Sequence, residues 1–290
     1  MKNYISMANI IKIGEYNRLA VCKKVDFGIY LDGGDEGEIL MPRKYVPDGL
    51  EEGDTINAFV YLDQEERLVA TMETPKMLAG EFACLECTWV NEYGAFLDWG
   101  VTKDLFCPFR EQKSKMRKGG RYIVHAFIDK ESYRLVASAK IERFLDKRHP
   151  SYSPGDTVRV LVWQQTDLGY KVIVDNKYYG LIYRNEIYRH LDIGDVLPAF
   201  VSVVRDDGKI DLTLQPTGKR LKDDVAEMIL SYLYDNDGIC ALGDKSDAEE
   251  IKECFHVSKK AFKRAVGDLY KRRLITIEPT CIRLSEDEKK

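Results

Sequence analysis

The chain has 290 residues and a formal charge of −4, from 44 lysines and arginines against 48 aspartates and glutamates, so it is not a uniformly basic coat for nucleic acid and any basic surface has to be local. With 44% hydrophobic and 32% charged residues, and no unbroken apolar run of about 18 residues, the composition is that of a globular protein and excludes a helical membrane span. The opening Met1-Lys2-Asn3-Tyr4-Ile5 lacks the apolar core and small-residue cleavage site of a signal peptide, which predicts a cytoplasmic protein. Seven scattered cysteines do not form a secreted disulfide framework. Cys84 and Cys87 make a Cys-x-x-Cys pair, but no second pair follows at zinc spacing, so neither a metal nor a cofactor is expected.

Three segments of the chain align with one another. The first runs from Val25-Asp26-Phe27-Gly28-Ile29-Tyr30-Leu31 through Glu52-Gly53-Asp54 to Arg67-Leu68-Val69-Ala70-Thr71. The second holds Glu92-Tyr93-Gly94-Ala95-Phe96-Leu97, then Lys118-Gly119-Gly120, then Arg134-Leu135-Val136-Ala137-Ser138. In the third, Leu168-Gly169-Tyr170-Lys171-Val172 precedes Ile193-Gly194-Asp195 and Lys209-Ile210-Asp211-Leu212-Thr213-Leu214. The interval between the two glycines is 25 residues in every copy: 28 to 53, 94 to 119 and 169 to 194. A repeat of this kind defines the structural unit.

Alternating apolar residues rich in Val, Ile, Phe and Tyr, punctuated by Gly, Asp and Asn, predict about five short antiparallel strands per copy. A unit of that size buries its apolar face by closing on itself, and the small closed Greek-key barrel is the OB-fold. Gly28, Gly94 and Gly169 fall inside strand patterns, where a missing side chain permits a bend or a close backbone approach. Gly53-Asp54 and Gly194-Asp195 are expected to form the turn into the following strand.

After Pro216 the pattern changes to helical periodicity at Val225, Ile229, Leu230 and Leu233, broken by Asp237-Gly238. Ser246-Asp247-Ala248-Glu249-Glu250 predicts an N-cap with an acidic first turn, and Ser258 opens a helix through Tyr270. Residues 274–284 alternate as a hairpin. The fold class expected is mainly β and multidomain: three tandem five-stranded OB barrels over 1–72, 73–147 and 148–216, and an α+β winged helix-turn-helix domain over 217–290.

The repeated aromatic-Gly-x-aromatic, Gly-x-Ile, Gly-Asp and Asp-x-x-x-Arg-Leu pattern resembles the RNA-binding domain first named in ribosomal protein S1. The first copy supplies Phe27, Gly28, Tyr30, Gly37, Gly53, Asp54, Asp63 and Arg67; the second supplies Tyr93, Gly94, Phe96, Gly119, Asp129 and Arg134. Phe106 stands where that family often carries a histidine. The third copy is degenerate, with Leu168 and Lys171 at the aromatic positions and Tyr170 and Tyr183 as neighbouring substitutes. Three such domains followed by a winged helix is the layout of the conserved virulence factor B, or YitL-like, family. The resemblance implies a bacterial, cytoplasmic, non-catalytic RNA-binding regulator of gene expression.

Single-stranded RNA is held by aromatic faces that stack on bases and by cations that meet phosphates. The candidate stacking pairs are Phe27 with Tyr30 and Tyr93 with Phe96. A spacing of three puts the rings on opposite faces of a regular strand, so a shared surface requires the backbone between them to bend or bulge. Arg67 and Arg134 are candidates for phosphate contact, with a surface ion pair to Asp63 or Asp129 as the plainer reading. Residues 1–73 hold 8 basic and 14 acidic residues and residues 81–147 hold 12 and 10, so the second copy better receives a polyanion. Lys113, Lys115 and Arg117 in its basic loop are candidate phosphate clamps.

Lys259, Lys260, Lys263, Arg264 and Arg272 fall in a stretch, 258–273, with seven cations and one acid, and are the candidate nucleic-acid contacts of the winged helix. The partner expected is RNA, single-stranded, with accessory duplex contact by the winged helix, no membrane, and a monomeric protein. No phosphate-cradling loop, His-Glu-x-x-His or acid pair marks an enzyme. Two other readings stay open at this level: a DNA-binding transcription factor led by the winged helix, and a protein-interaction scaffold.

Overall fold

A computed structural model describes residues 10–187, 189–215, 219–243, 245–278 and 280–285. The N-terminal residues 1–5 and the expected boundary at 216–218 lie outside these. The chain forms two compact units, residues 1–144 and 145–290. Among the described residues no helix is long and apolar enough to cross a membrane.

The first unit holds two barrels. In barrel 1, β1 (Glu15–Val25), β2 (Gly28–Asp32), β3 (Glu38–Pro42), β4 (Thr55–Leu62) and β5 (Leu68–Thr71) close in the order β1-β2-β3-β5-β4. Period-two alternation sends Leu19, Val21, Ile29, Leu31, Ile39 and Met41 inward to a common core. Barrel 2 repeats the arrangement with β6 (Phe82–Val90), β7 (Gly94–Asp98), β8 (Leu105–Pro108), β9 (Arg121–Ile128) and β10 (Leu135–Ser138). Its hydrogen-bonded order is β10-β9-β6-β7-β8, and β8 and β10 lie side by side.

The fixed glycine interval has a backbone cause. In each barrel one residue of the first strand exchanges hydrogen bonds with the turn that carries the second glycine. Val21 O accepts from Gly53 N at 2.9 Å and Val21 N donates to Asp54 O at 2.8 Å; Cys87 does the same with Gly119 and Gly120, both at 2.8 Å. Val162 repeats it with Gly194 and Asp195, again at 2.8 Å. The first strand bulges at this residue in all three barrels, between Val21 and Lys23, Cys87 and Trp89, and Val162 and Gln164. The second glycines take φ of 89°, 78° and 101°, a left-handed region that favours glycine.

The first glycines serve a close approach. A Cβ on Gly28, Gly94 or Gly169 would overlap the carbonyl oxygen of Met41, Cys107 or Ile182 on the next strand. In barrels 1 and 3 the turn before the fourth strand is closed by a carboxylate: Asp54 Oδ2 accepts from Glu51 N at 2.8 Å and Asp195 Oδ2 from Asp192 N at 2.9 Å. Barrel 2 has Gly120 there, and the Tyr122 hydroxyl accepts from Arg117 N at 2.8 Å instead. A side chain at position 120 would collide with that phenol.

Barrels 1 and 2 are packed through a shared core. Phe59, Tyr61 and Val69 of barrel 1 belong to the same buried cluster as Met77, Leu85, Leu97 and Trp99. The Trp99 ring meets Phe59 edge-on at 5.4 Å, and its indole nitrogen donates to Lys103 O at 2.5 Å.

In the second unit, β11 (Thr157–Thr166), β12 (Gly169–Val174), β13 (Tyr178–Tyr183), β14 (Val196–Val204) and β15 (Ile210–Thr213) close as barrel 3. Then follow α1 (Lys219–Asp235), β16 (Ile239–Cys240), α2 (Ala248–Phe255), α3 (Lys259–Lys271), β17 (Ile275–Ile277) and β18 (Ile282–Leu284). Asp247 caps α2 in a capping box with Glu250, and Ser258 caps α3. The expected two-stranded hairpin is the wing of a three-stranded sheet ordered β16-β18-β17. The short strand β16 carries no alternation long enough to read from sequence. All seven cysteines are free thiols, and among the described residues no group of three or more His, Cys, Asp or Glu can hold a metal.

Two stability measurements follow from this packing. Gly94→Ala forces β7 away from β8, and the expected cost is about 2 kcal/mol in urea denaturation. His125, 7% exposed, is packed against Phe82 and Phe144 with ring centroids 4.4 and 4.2 Å away, and burial pushes its imidazole down from 6.5 to about 4. The unfolded chain takes up this proton below about pH 6.5 while the folded protein does not, so stability falls as pH falls across that window, by about 3 kcal/mol at its acid end. Replacing His125 with Gln removes that part of the acid sensitivity, as read from denaturation midpoints at pH 7 and pH 4.5.

Candidate nucleic-acid interface

The hairpin joining β6 to β7 is fixed by Asn91, whose side-chain oxygen accepts from the amides of Tyr93 at 2.8 Å and Gly94 at 3.1 Å. This turn holds Tyr93 out in solvent, 66% exposed. Because β6 bulges after Cys87, Trp89 rather than Thr88 stands opposite Phe96, and Phe96 in turn stands opposite Phe106. Trp89 and Phe96 stack with centroids 3.9 Å apart and planes 7° from parallel; Phe106 lies 5.0 Å beyond. Three rings thus form a column across β6, β7 and β8, and Trp89 remains 46% exposed.

The same register positions carry different chemistry elsewhere. In barrel 1 they are Lys23, Tyr30 and Leu40, with the Lys23 ammonium 4.6 Å from the Tyr30 ring centroid and paired with Glu38 at 2.5 Å. Phe27 sits in the turn before Gly28, 58% exposed, with its ring 6.3 Å from Tyr30 and edge-on. The turn, rather than a kink in the strand, brings this pair together. Barrel 3 has Gln164, Lys171 and Leu181.

The column opens into a cleft of about 720 Å³ within the first unit. Barrel 2 lines it with Trp89, Tyr93, Phe96, Phe106, Lys103 and Arg134, and barrel 1 with Tyr61, Gln64 and Glu66. Both cations are tethered to barrel 1. Lys103 Nζ donates to Asp63 O at 2.6 Å, and Arg134 pairs with Glu66. Burial pushes the Lys103 ammonium below the ordinary lysine range, with the nearby Arg134 charge acting in the same direction. Burial also pushes the Tyr61 phenol up to about 12, so it stays a neutral hydroxyl in the cleft wall.

Other candidates lie elsewhere. Arg67 is bound twice by Asp63, at 2.9 and 2.7 Å, the plainer of its two sequence readings. For Arg134 the expected partner Asp129 is taken by Arg110 at 2.9 Å, and Glu66 of the neighbouring barrel replaces it. Lys113, Lys115 and Arg117 are exposed on a loop anchored by buried Met116, whose amide donates to Gln112 Oε1 at 3.0 Å, but none of them lines the aromatic cleft. Lys113 is within 3.8 Å of Glu142.

Tyr170 is a correction: it is 9% exposed and packs in the core of barrel 3 with Val172 and Val174. Strand parity decides this, since Lys171 occupies the outward register position and its neighbour must point inward. The Tyr183 hydroxyl accepts from the Arg205 guanidinium, and Tyr183 borders a separate pocket of about 410 Å³ with Glu186, Asp211 and Thr213.

On α3, the exposed Lys260, Lys263 and Arg264 stand opposite buried Phe262, Ala265, Val266 and Leu269. Lys259 instead reaches Ser246 O at 2.7 Å, and Arg272 lies 3.7 Å from Asp268. Sequence reading missed Trp89 and Lys103. The signal for Trp89 was its position across the Asn91–Gly94 turn from Phe96; for Lys103, whose chain spacing carries no such signal, there was none.

A family model described as S1 domain matches residues 13–73, and one described as CvfB-like winged helix domain matches residues 227–284. Over 268 residues the chain is 29% identical to the uncharacterized protein YitL of Bacillus subtilis, covering 89% of each chain. Conserved virulence factor B of Staphylococcus aureus is 25% identical over 246 residues, 82% of each. Over most of its length the chain is thus similar to YitL and to conserved virulence factor B. A solved Streptococcus pneumoniae structure, described as a multidomain protein with nucleic acid binding domains, aligns at 24% identity with a TM-score of 0.43, covering 94% of this chain and 98% of that one. The matched domain families are nucleic-acid-binding rather than catalytic.

Trp89 is half-exposed, whereas Trp99 and Trp163, which complete the three tryptophans, are 3% and 7% exposed. Acrylamide is therefore expected to quench Trp89 selectively, and Trp89→Phe to remove the readily quenched, red-shifted part of the emission.

Proposed function

We propose that this chain is a non-catalytic RNA-binding protein that acts on gene expression after transcription, as a cytoplasmic monomer built from modules at 1–72, 73–147, 148–216 and 217–290. The observation that carries the reading is the Trp89–Phe96–Phe106 column, with exposed Tyr93 lining the same cleft. Exposed aromatic faces beside cations are what a single-stranded nucleic acid requires, since every base offers a π-face and every linkage a charge. Barrel 2 is the principal platform in this reading. Phe27 and Tyr30 of barrel 1 are a secondary one, weakened by the Lys23–Glu38 pair beside Tyr30 and by the acidic balance of residues 1–73. Lys113, Lys115 and Arg117 extend the phosphate track along barrel 2.

The basic face of α3 supports accessory contact with nucleic acid through Lys260, Lys263 and Arg264, because side chains on that face are exposed and the opposite face supplies the core. Lys259 and Arg272 are occupied within the domain and contribute less to it. Duplex-led function is the competing reading that this surface favours.

A titration of single-stranded RNA against duplex DNA of equal length at two salt concentrations separates the two. RNA is expected to bind tightly and with strong salt dependence. Tyr93→Ala with Phe96→Ala is expected to weaken it by roughly 2 kcal/mol or more, and Trp89→Ala by roughly 1 to 3 kcal/mol. Lys263→Ala with Arg264→Ala leaves RNA affinity nearly unchanged. Preference for the duplex, abolished by this last pair, is the result that moves the function to the winged helix.

A further inference from the structure

The aromatic face of barrel 2 is not an open platform. Residues Gln64 and Glu66, from the hairpin between β4 and β5 of barrel 1, form the opposite wall of its cleft. The ion pairing there departs from the pattern set by the repeat itself. In barrel 1, Arg67 closes on Asp63 and Glu65 of its own hairpin, at 2.7 and 2.9 Å. The corresponding Arg134 leaves its own hairpin's Asp129 to Arg110 and crosses to Glu66. The one guanidinium beside the stacked rings is therefore neutralised by the neighbouring barrel.

We propose that this cleft is a composite site for a single nucleotide of single-stranded RNA, in which Glu66 of barrel 1 holds Arg134 of barrel 2 until an RNA phosphate displaces it. The inference rests on the RNA-binding reading of barrel 2. The cleft volume of about 720 Å³ lies within the size of a small-ligand site and admits a base with its sugar and phosphate. The base lies against the Trp89–Phe96 stack, and its phosphate takes the Arg134 fork that Glu66 occupies in the unbound protein. Side chains of Arg134 and Glu66 are 52% and 55% exposed, and an ion pair so solvated is held weakly enough to be exchanged for a phosphate. Asp104 stays out of this exchange, because it accepts from the Thr88 hydroxyl at 2.6 Å. Glu66 thus sets a threshold: it lowers affinity for the polyanion and shields the arginine from other anions.

The test uses the full chain and a short, labelled, mixed-sequence single-stranded RNA, with fluorescence anisotropy read at two salt concentrations. Glu66→Gln is expected to tighten binding by about three- to tenfold and to steepen its salt dependence, because Arg134 is released to the phosphate. Arg134→Gln is expected to weaken binding, and the double variant to match Arg134→Gln alone. Circular dichroism and thermal midpoints verify that each variant is folded. Unchanged or weaker binding by folded Glu66→Gln, with Trp89→Ala/Phe96→Ala still losing affinity, overturns the composite site and leaves the RNA-binding reading intact. Failure of the unsubstituted chain to bind RNA overturns both.

Discussion

Each barrel is organised by one pair of backbone hydrogen bonds, between the bulged residue of its first strand and the glycine turn that follows its third. Val21 with Gly53, Cys87 with Gly119 and Val162 with Gly194 are the same contact made three times. It forces a left-handed residue into the turn and an extra residue into the strand, and the extra residue resets the register beyond it. In barrel 2 that reset is what turns Trp89 toward Phe96. A bond made by backbone atoms in the body of the barrel thereby sets the geometry of its aromatic face.

Once the backbone is fixed, three outward positions set the chemistry that each barrel presents. Trp, Phe and Phe give barrel 2 a stacked column; Lys, Tyr and Leu give barrel 1 a single ring beside an ion pair; Gln, Lys and Leu give barrel 3 no ring at all. The scaffold is held constant by glycines whose side chains would strike a neighbouring carbonyl, so variation is confined to side chains that the scaffold tolerates. The repeat specialises without being rebuilt.

The parts of this architecture that are legible in the sequence are those dictated by backbone geometry. Gly28, Gly94 and Gly169 announce themselves because a Cβ there would strike a carbonyl oxygen, and their partners 25 residues later because a left-handed φ favours glycine. Caps at Asp247 and Ser258 are legible for a similar reason, since a helix start needs a side-chain acceptor. Side-chain placement is less so. Tyr170 has the right chemistry and the wrong parity, and Trp89 has the right position in a stretch that the motif does not cover. The partner of Arg134 was out of reach altogether, because Glu66 belongs to a different repeat and only tertiary packing brings it near.

The continuous core beneath Phe59 and Trp99 has an evolutionary consequence. Threefold repetition in sequence invites the view that barrels can be gained, lost or exchanged one at a time. Here the first two have become a single inheritable piece: a recombination event between them would leave Phe59 and Tyr61 on one side and Trp99 on the other without the surfaces that bury them. Shuffling of this protein would therefore be expected to copy the first pair together, and lineages that alter the number of repeats to do so by twos at this end of the chain.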